Sequence, residues 1–240
     1  LIVFGTNLYH YATKSAPFSH AYSFTLIILF FILVIRWHKN PSIKHTIFLG
    51  LLYGLISLIR PSNVIVIFLF LFYGITSIKQ VKERFLFLIQ NIHLIGIMIF
   101  CFFIVWFPQM IYWHKATGHW LFYSYVGEAY LFNDPVIFKG LFGYRNGWLL
   151  YTPIMLFAIV GIPFLKKVNT LFIAPITVYF LLGIYTILSW SCWWYVGFGH
   201  RAFIDLYGIL ALPLASFIGY LFTQKLIIRI VGTGILIFLL

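Results

Sequence analysis

The chain is poor in charge and poorest in acid. Glu83, Glu128, Asp134 and Asp205 are its whole stock of carboxylates, against 16 lysines and arginines. The resulting net charge of +12 invites a nucleic-acid reading, but the basic residues are scattered at the ends of apolar runs. They form no stripe and no basic arm, which excludes nucleic acid as a partner. Cysteine is nearly absent too. Cys101 and Cys192 make no disulfide framework, and Cys101 lies inside an apolar run, where a free buried thiol is the ordinary case. The eight histidines never fall into a metal spacing such as HExxH, and no CxxC occurs, so no metal site is expected. A Walker loop and a GxGxxG stretch are both missing, so there is no nucleotide signature and no cofactor is expected. Internal repeats and low-complexity tracts are missing as well.

What fills the chain instead is apolar. With 63% hydrophobic and 8% charged residues and a mean hydropathy of +1.02, it has too little polar surface to cover a soluble globule. Several runs approach the roughly 20 residues that cross a bilayer's hydrocarbon core. The expectation is an all-α polytopic transmembrane helix bundle of about eight full or partial spans: 21–36, 46–59, 63–78, 86–107, 147–165, 170–189, 203–222 and a last run from 226. The chain begins at Leu1 without a methionine and stops inside the run IVGTGILIFLL. Residues 1–240 are therefore expected to be one transmembrane domain, truncated at both ends.

Alternating the spans across the bilayer sets the short basic turns on one face. Arg36, Lys39, Lys44, Lys79, Lys82, Arg84, Lys166, Lys167, Lys225 and Arg229 gather there, ten of the sixteen cations. The positive-inside rule makes that face cytoplasmic. The opposite face receives Lys14, Arg60, Lys115, Lys139, Arg145 and Arg201, together with three of the four acids. It also receives two outer loops, the aromatic stretch 108–146 and WSCWWYVGFGHRAFIDLYG at 190–208. Function is expected on this outer side.

Arg201 and Asp205 lead the polar candidates. Spaced i and i+4, they share a helix face and can pair across a turn, and a guanidinium at the positive end of a helix dipole wants an anion. Two readings follow. Either Asp205 is that anion and Trp190, Trp193 and Trp194 are an interface belt, or Arg201 with His200 grips a phosphate through the planar fork that suits its oxygens. Ionisable residues at membrane depth are functional suspects by default. Arg60, in LIRPSN, stands where Pro61 ends a short helix. That sets it slightly below the outer surface, as a snorkelling side chain or a site residue. Arg145, between Gly143 and Gly147 in GYRNGWLLYTP, precedes a span by a tight turn and is an interface anchor or a further site cation. His20 opens the first complete span after Pro17 and Ser19, and is read as a hydrogen-bonded structural residue. Glu128 and Asp134 are read as solvating charges of the long loop, with acceptor binding or metal coordination as the other reading, and Glu83 as a partner for the cytoplasmic lysines.

Four stretches, FGTNLYHYATKSAPFSHAYSF, LIRPSN, GYRNGWLLYTP and WWYVGFGHRAFIDLYGILALPLA, together resemble the GT-C glycosyltransferases. The likeness is in particular to bacterial membrane proteins similar to protein O-mannosyltransferases and the lipid A aminoarabinose transferase, and it runs from about residue 4 to residue 220. The resemblance implies an all-helical, multi-pass protein of the bacterial inner membrane with its active site on the periplasmic side. It implies transfer of a sugar from a polyprenyl-phosphate donor to a lipid, glycan or protein acceptor. Arg201, by its place in GHRAF, and Arg60, in IRPSN, are the candidates for the donor phosphate, with His200, Asp205, Trp194 and Arg145 around them. The family's acceptor-activating aspartate lies in an outer loop ahead of the region present here. None of the four acids matches it, so no catalytic base is assigned. Asn146 stands where the family commonly carries a basic residue. A non-catalytic binder or transporter of lipid-linked sugars would use the same arginines and tryptophans. Transporters usually show helices broken at matching positions in two repeats, and the break at Arg60–Pro61 has no mate.

Overall fold

A computed structural model describes residues 1–240. It is all-helical, with no strand. The helices are α1 (Leu8–Thr13), α2 (His20–Lys39), α3 (Ile43–Ile59), α4 (Ile67–Phe72), α5 (Ile78–Gln90), α6 (Ile92–Thr117), α7 (Ile137–Phe142), α8 (Trp148–Tyr151), α9 (Met155–Gly161), α10 (Ile173–Leu188), α11 (Ile204–Phe222) and α12 (Leu226–Phe238).

Four stretches are long and apolar enough to cross a membrane: His20–Lys39, Ile92–Thr117, Thr170–Leu188 and Arg201–Phe222. The other four expected spans are shorter or broken, each for a local reason. α3 has 17 residues, about 26 Å at 1.5 Å each. The 63–78 run divides into a 3-10 turn, Pro61–Val66, and the six residues of α4. The 147–165 run divides into α8, α9 and a 3-10 turn at Ile162–Lys167, because Pro153 and Pro163 each lack the backbone donor that a continuous helix needs. α12 has 13 residues. Boundaries move as well. Residues 86–90 belong to α5, and α6 runs on through Pro108 to Thr117, which shortens the expected 108–146 loop at its start.

α11 is the centre of the bundle, packed against α2, α9 and the 3-10 turn after α9. It buries Ile204, Leu206, Tyr207, Leu210 and Leu214. Beside it, the indole of Trp148 stacks on Phe203 with ring centres 4.2 Å apart. α6 packs chiefly on α3. Gly50 and Gly54 let the two backbones touch: a Cβ at Gly50 would stand 2.4 Å from the Met98 carbonyl oxygen, and one at Gly54 2.9 Å from that of Phe102. Small residues four apart are how helices approach closely where lipid removes the hydrophobic drive between them.

The two ends of the bundle differ. At one end the basic turns meet: Phe87 of α5 packs on Trp37 and His38, the Gly74 N–H donates to the Leu171 carbonyl, and Lys167 lies over the ring of Tyr220. At the other end the two loops join in an isolated antiparallel bridge between Tyr130 and Trp190, with Leu131 N–H donating to Ser189 at 2.6 Å and Ser191 N–H to Ala129 at 2.9 Å.

Candidate functional site

Three helix ends converge beneath those loops. α3 stops at Arg60, whose backbone is extended (φ −147°, ψ 108°), because the residue before a proline is pushed out of the helical region. α2 starts at His20. α11 starts at Ile204, which puts Asp205 in its first turn, where a carboxylate is favoured by the helix dipole.

The side chains close on one carboxylate. Asp205 is buried, and its Oδ1 lies 3.2 Å from His20 Nδ1 while its Oδ2 lies 3.5 Å from Arg60 Nε. Arg60 Nη1 also contacts His20, 2.8 Å from Nε2. The imidazole stands between the two charges, its Nδ1 against Asp205 and both its nitrogens within reach of the Arg60 Nη1. His20 thus bridges a cation and an anion. From α10, the Tyr179 hydroxyl donates to the backbone carbonyl of Asp205 at 3.3 Å.

This arrangement corrects the expected Arg201–Asp205 pairing. Residues Arg201–Phe203 form a 3-10 turn ahead of α11 rather than its first α-helical turn, so i and i+4 do not stack there. Arg201 folds back instead, donating through Nη1 to the Val196 carbonyl at 2.5 Å. Its guanidinium lies over two aromatic faces, 4.2 Å from the ring centre of Tyr195 and 4.4 Å from that of Phe18. It is half-buried and has no carboxylate oxygen within 4.0 Å. Desolvated cation–π contacts of this kind are worth about 1–2 kcal/mol each.

His200 also departs from expectation. It is fully buried and cannot meet a ligand from the surface. Its Nδ1 lies 3.5 Å from the Tyr195 hydroxyl, while its Nε2 has no partner. Burial, reinforced by the charges of Arg60 and Arg201, pushes its imidazole down to about 3. His200 is a neutral support under Tyr195, whose hydroxyl also accepts from the Ala202 N–H at 3.1 Å and is pushed by burial up to about 12.

The loop that carries these residues is clamped at several points. Asn7 Nδ2 donates to the Phe198 carbonyl at 3.1 Å, and the Asn7 Oδ1 accepts from the Tyr207 hydroxyl at 3.0 Å. The Phe198 N–H donates to the Tyr11 hydroxyl at 3.0 Å. Gly199 adopts φ +64°, a left-handed conformation that favours glycine. On the rim, Arg145 lies over the Trp194 ring at 4.0 Å, and its neighbour Asn146 donates to the Tyr195 carbonyl at 2.7 Å. Asn146 therefore holds the loop. Trp190 packs on Tyr125 and Tyr130 instead. Tyr130 is half-buried, and burial raises its phenol while the nearby Arg60 opposes that rise.

An apolar cleft of about 580 Å³ opens between α1, α2 and α3, with Tyr11, Ala16, Tyr22, Leu26, Leu55 and Ile59 on its walls. Ile59 precedes Arg60, and Tyr11 packs edge-on against Phe18, the ring beneath Arg201. The cleft thus ends one residue short of Arg60 and one ring short of Arg201, and neither arginine lines it.

Sequence reasoning gathered Arg60, Arg201, Asp205 and His200 at one end of the bundle, and the structure brings them together there, with Arg145 and Trp194 at the rim. It missed His20 as a member of the charged cluster. The available signal was position: His20 begins a span at the same end as Arg60 and Asp205. It also missed Asn7 and Tyr11, whose contacts with residue 198 are too distant in sequence to be read from spacing.

No protein-family model, no characterised protein and no solved structure matches the chain.

Proposed function

We propose that this protein is a membrane glycosyltransferase, taking its sugar from a polyprenyl-phosphate donor at the loop-bearing end. The observation that carries the reading is a charge imbalance. Of the two arginines at this end only Arg60 pairs with the buried carboxylate of Asp205, while Arg201 sits on an aromatic seat without a counter-ion, near an apolar cleft. A phosphate ester on a long apolar chain satisfies both features at once. Its oxygens suit the guanidinium fork, and its chain suits the wall formed by Tyr11, Leu26, Leu55 and Ile59. The positive-inside bias turns this end away from the cytoplasm, which in a bacterial inner membrane is the periplasmic side.

In the transfer, a hydroxyl oxygen of a lipid, glycan or protein acceptor attacks the anomeric carbon as the bond from that carbon to the phosphate oxygen breaks, and the hydroxyl proton passes to water. Negative charge gathers on the departing polyprenyl phosphate, and Arg201 stabilises it. Arg60 adds a second positive charge, held in place by Asp205 and His20. No side chain of the cluster is assigned as the base. Asp205 has both oxygens engaged and His20 both nitrogens, while His200 is sealed from solvent. That same observation favours a second reading, a binder or transporter of lipid-linked sugars that makes no bond.

The test is transfer of a radiolabelled sugar from its polyprenyl-phosphate donor in membranes expressing the protein. The expected result is transfer by the wild type and its loss in Arg201→Ala, with expression and insertion unchanged. Saturable donor binding without transfer selects the second reading. Equal transfer by wild type and variant removes Arg201 from the site.

A further inference from the structure

A second cleft, of about 630 Å³, lies between α2 and α3 toward the basic end. Leu29, Ile32 and Leu33 of α2 and Phe48, Leu51 and Leu52 of α3 form its walls, and Arg36, Lys44 and His45 also line it. It meets the first cleft only at Leu55, a residue common to both, and its cations belong to the opposite end from Arg201.

The cations here are uncompensated. Residues 36–45 hold Arg36, His38, Lys39, Lys44 and His45 and no acid, and neither Arg36 nor Lys44 has a carboxylate oxygen within 4.0 Å. Lys44 stands in the first turn of α3, where the helix dipole opposes a positive charge. Ser42, which caps that turn by accepting from the His45 N–H, also lies 3.0 Å from His45 Nδ1. The site therefore couples two exposed cations to a cleft whose walls are hydrocarbon.

We propose that this cleft binds an anionic phospholipid from the leaflet on the basic side, its phosphate on Arg36 and Lys44 and an acyl chain along the α2–α3 seam. The charge selects the headgroup: a zwitterionic lipid brings its own cation to a site already positive, whereas an anionic headgroup gains about 1 kcal/mol for each lysine or arginine near it. The walls select a lipid over a soluble anion, because a free phosphate would leave Ile32, Leu33, Phe48 and Leu52 without an occupant. This inference is independent of the proposed transferase activity, since it uses none of the residues at the loop-bearing end.

Native mass spectrometry of the full protein in neutral detergent tests it, with phosphatidylglycerol and phosphatidylcholine of matched chains as probes. Phosphatidylglycerol is expected to be retained about thirtyfold more strongly, from two cations. Arg36→Gln together with Lys44→Gln, at exposed positions, should abolish that preference. Ile32→Trp, also exposed, should occlude the cleft and release phosphatidylglycerol while leaving both cations in place, and an unchanged unfolding midpoint confirms that each variant is folded. Equal retention of the two lipids overturns the proposal, as does undiminished phosphatidylglycerol retention in the folded double variant or in folded Ile32→Trp. Displacement of phosphatidylglycerol by an equal concentration of glycerol phosphate also overturns it, because the site would then be for a soluble anion.

Discussion

Asp205 lies 3.5 Å from the guanidinium of Arg60 and beyond ion-pair reach of Arg201, its neighbour four residues earlier. Both oxygens of a carboxylate that is almost fully buried are thereby committed to α2 and to the end of α3. Removing one partner of such a pair leaves the other charge uncompensated, which costs more than the pair itself contributes. Asp205→Asn is expected to destabilise the protein by about 3 kcal/mol, read as a fall in the unfolding midpoint in detergent. Adding Arg60→Leu should recover part of that loss. A double variant less stable than the single one would show that the pair does not work this way.

Arg201 combines charge with a flat shape, and only arginine has both. On the proposed function, Arg201→Lys keeps the charge but loses the fork and the fit against Phe18 and Tyr195. Losing a charge-assisted hydrogen bond of roughly 1.5–3 kcal/mol corresponds to about a 10- to 100-fold drop in transfer rate. Arg145→Ala, which removes only the exposed cation–π contact with Trp194, should change the rate by less than about fivefold. Equal effects from both substitutions would place the phosphate elsewhere.

His200 makes stability depend on pH. Its imidazole is depressed to about 3 in the native state from an ordinary value of 6.5, so the unfolded chain binds more protons between those two values. The stability associated with the neutral ring is complete above about pH 7 and is lost progressively as pH falls through that window. The unfolding midpoint of the wild type should therefore fall relative to that of His200→Leu between pH 7 and pH 4. A constant gap over that range would mean that His200 takes up its proton without leaving its site.

Gly54 tests the attachment of α6. A side chain there must displace the Phe102 carbonyl and Val105, and overpacking of this kind costs about 1–3 kcal/mol. Gly54→Leu is expected to lower the unfolding midpoint and to expose α6 to protease. Gly96→Leu, on α6 itself with open space around it, is the control and should do neither.

The sequence made the two ends of the bundle legible because charge and aromatic residues were sorted between them. Arg36, Lys39 and Lys44 fall at one end, and Arg60, Arg201 and Asp205 at the other. Long apolar runs such as 170–189 and 203–222 matched helices closely, since hydropathy sums over many residues and tolerates local error. Short runs did not. Pro153 and Pro163 divided 147–165, whereas Pro108 failed to end α6, because a proline's effect depends on what its neighbours supply to the freed backbone. The charged cluster was half legible. Its members could be listed from composition, but helical spacing paired Asp205 with Arg201, and only the 3-10 geometry of 201–203 shows why that pairing fails. Pairing across 185 residues, as between His20 and Asp205, leaves no periodic trace in a single sequence.

The convergence of α2, α3 and α11 on one carboxylate sets an order of assembly. Arg60 and His20 are synthesised well before Asp205, and at 5–20 residues per second the delay is on the order of ten seconds. During that interval the arginine at the end of α3 lacks the carboxylate that it pairs with in the complete fold. α11 is therefore the element that brings Arg60 its counter-charge, so a chain stopped before residue 205 would leave that arginine without the partner it has in the finished fold.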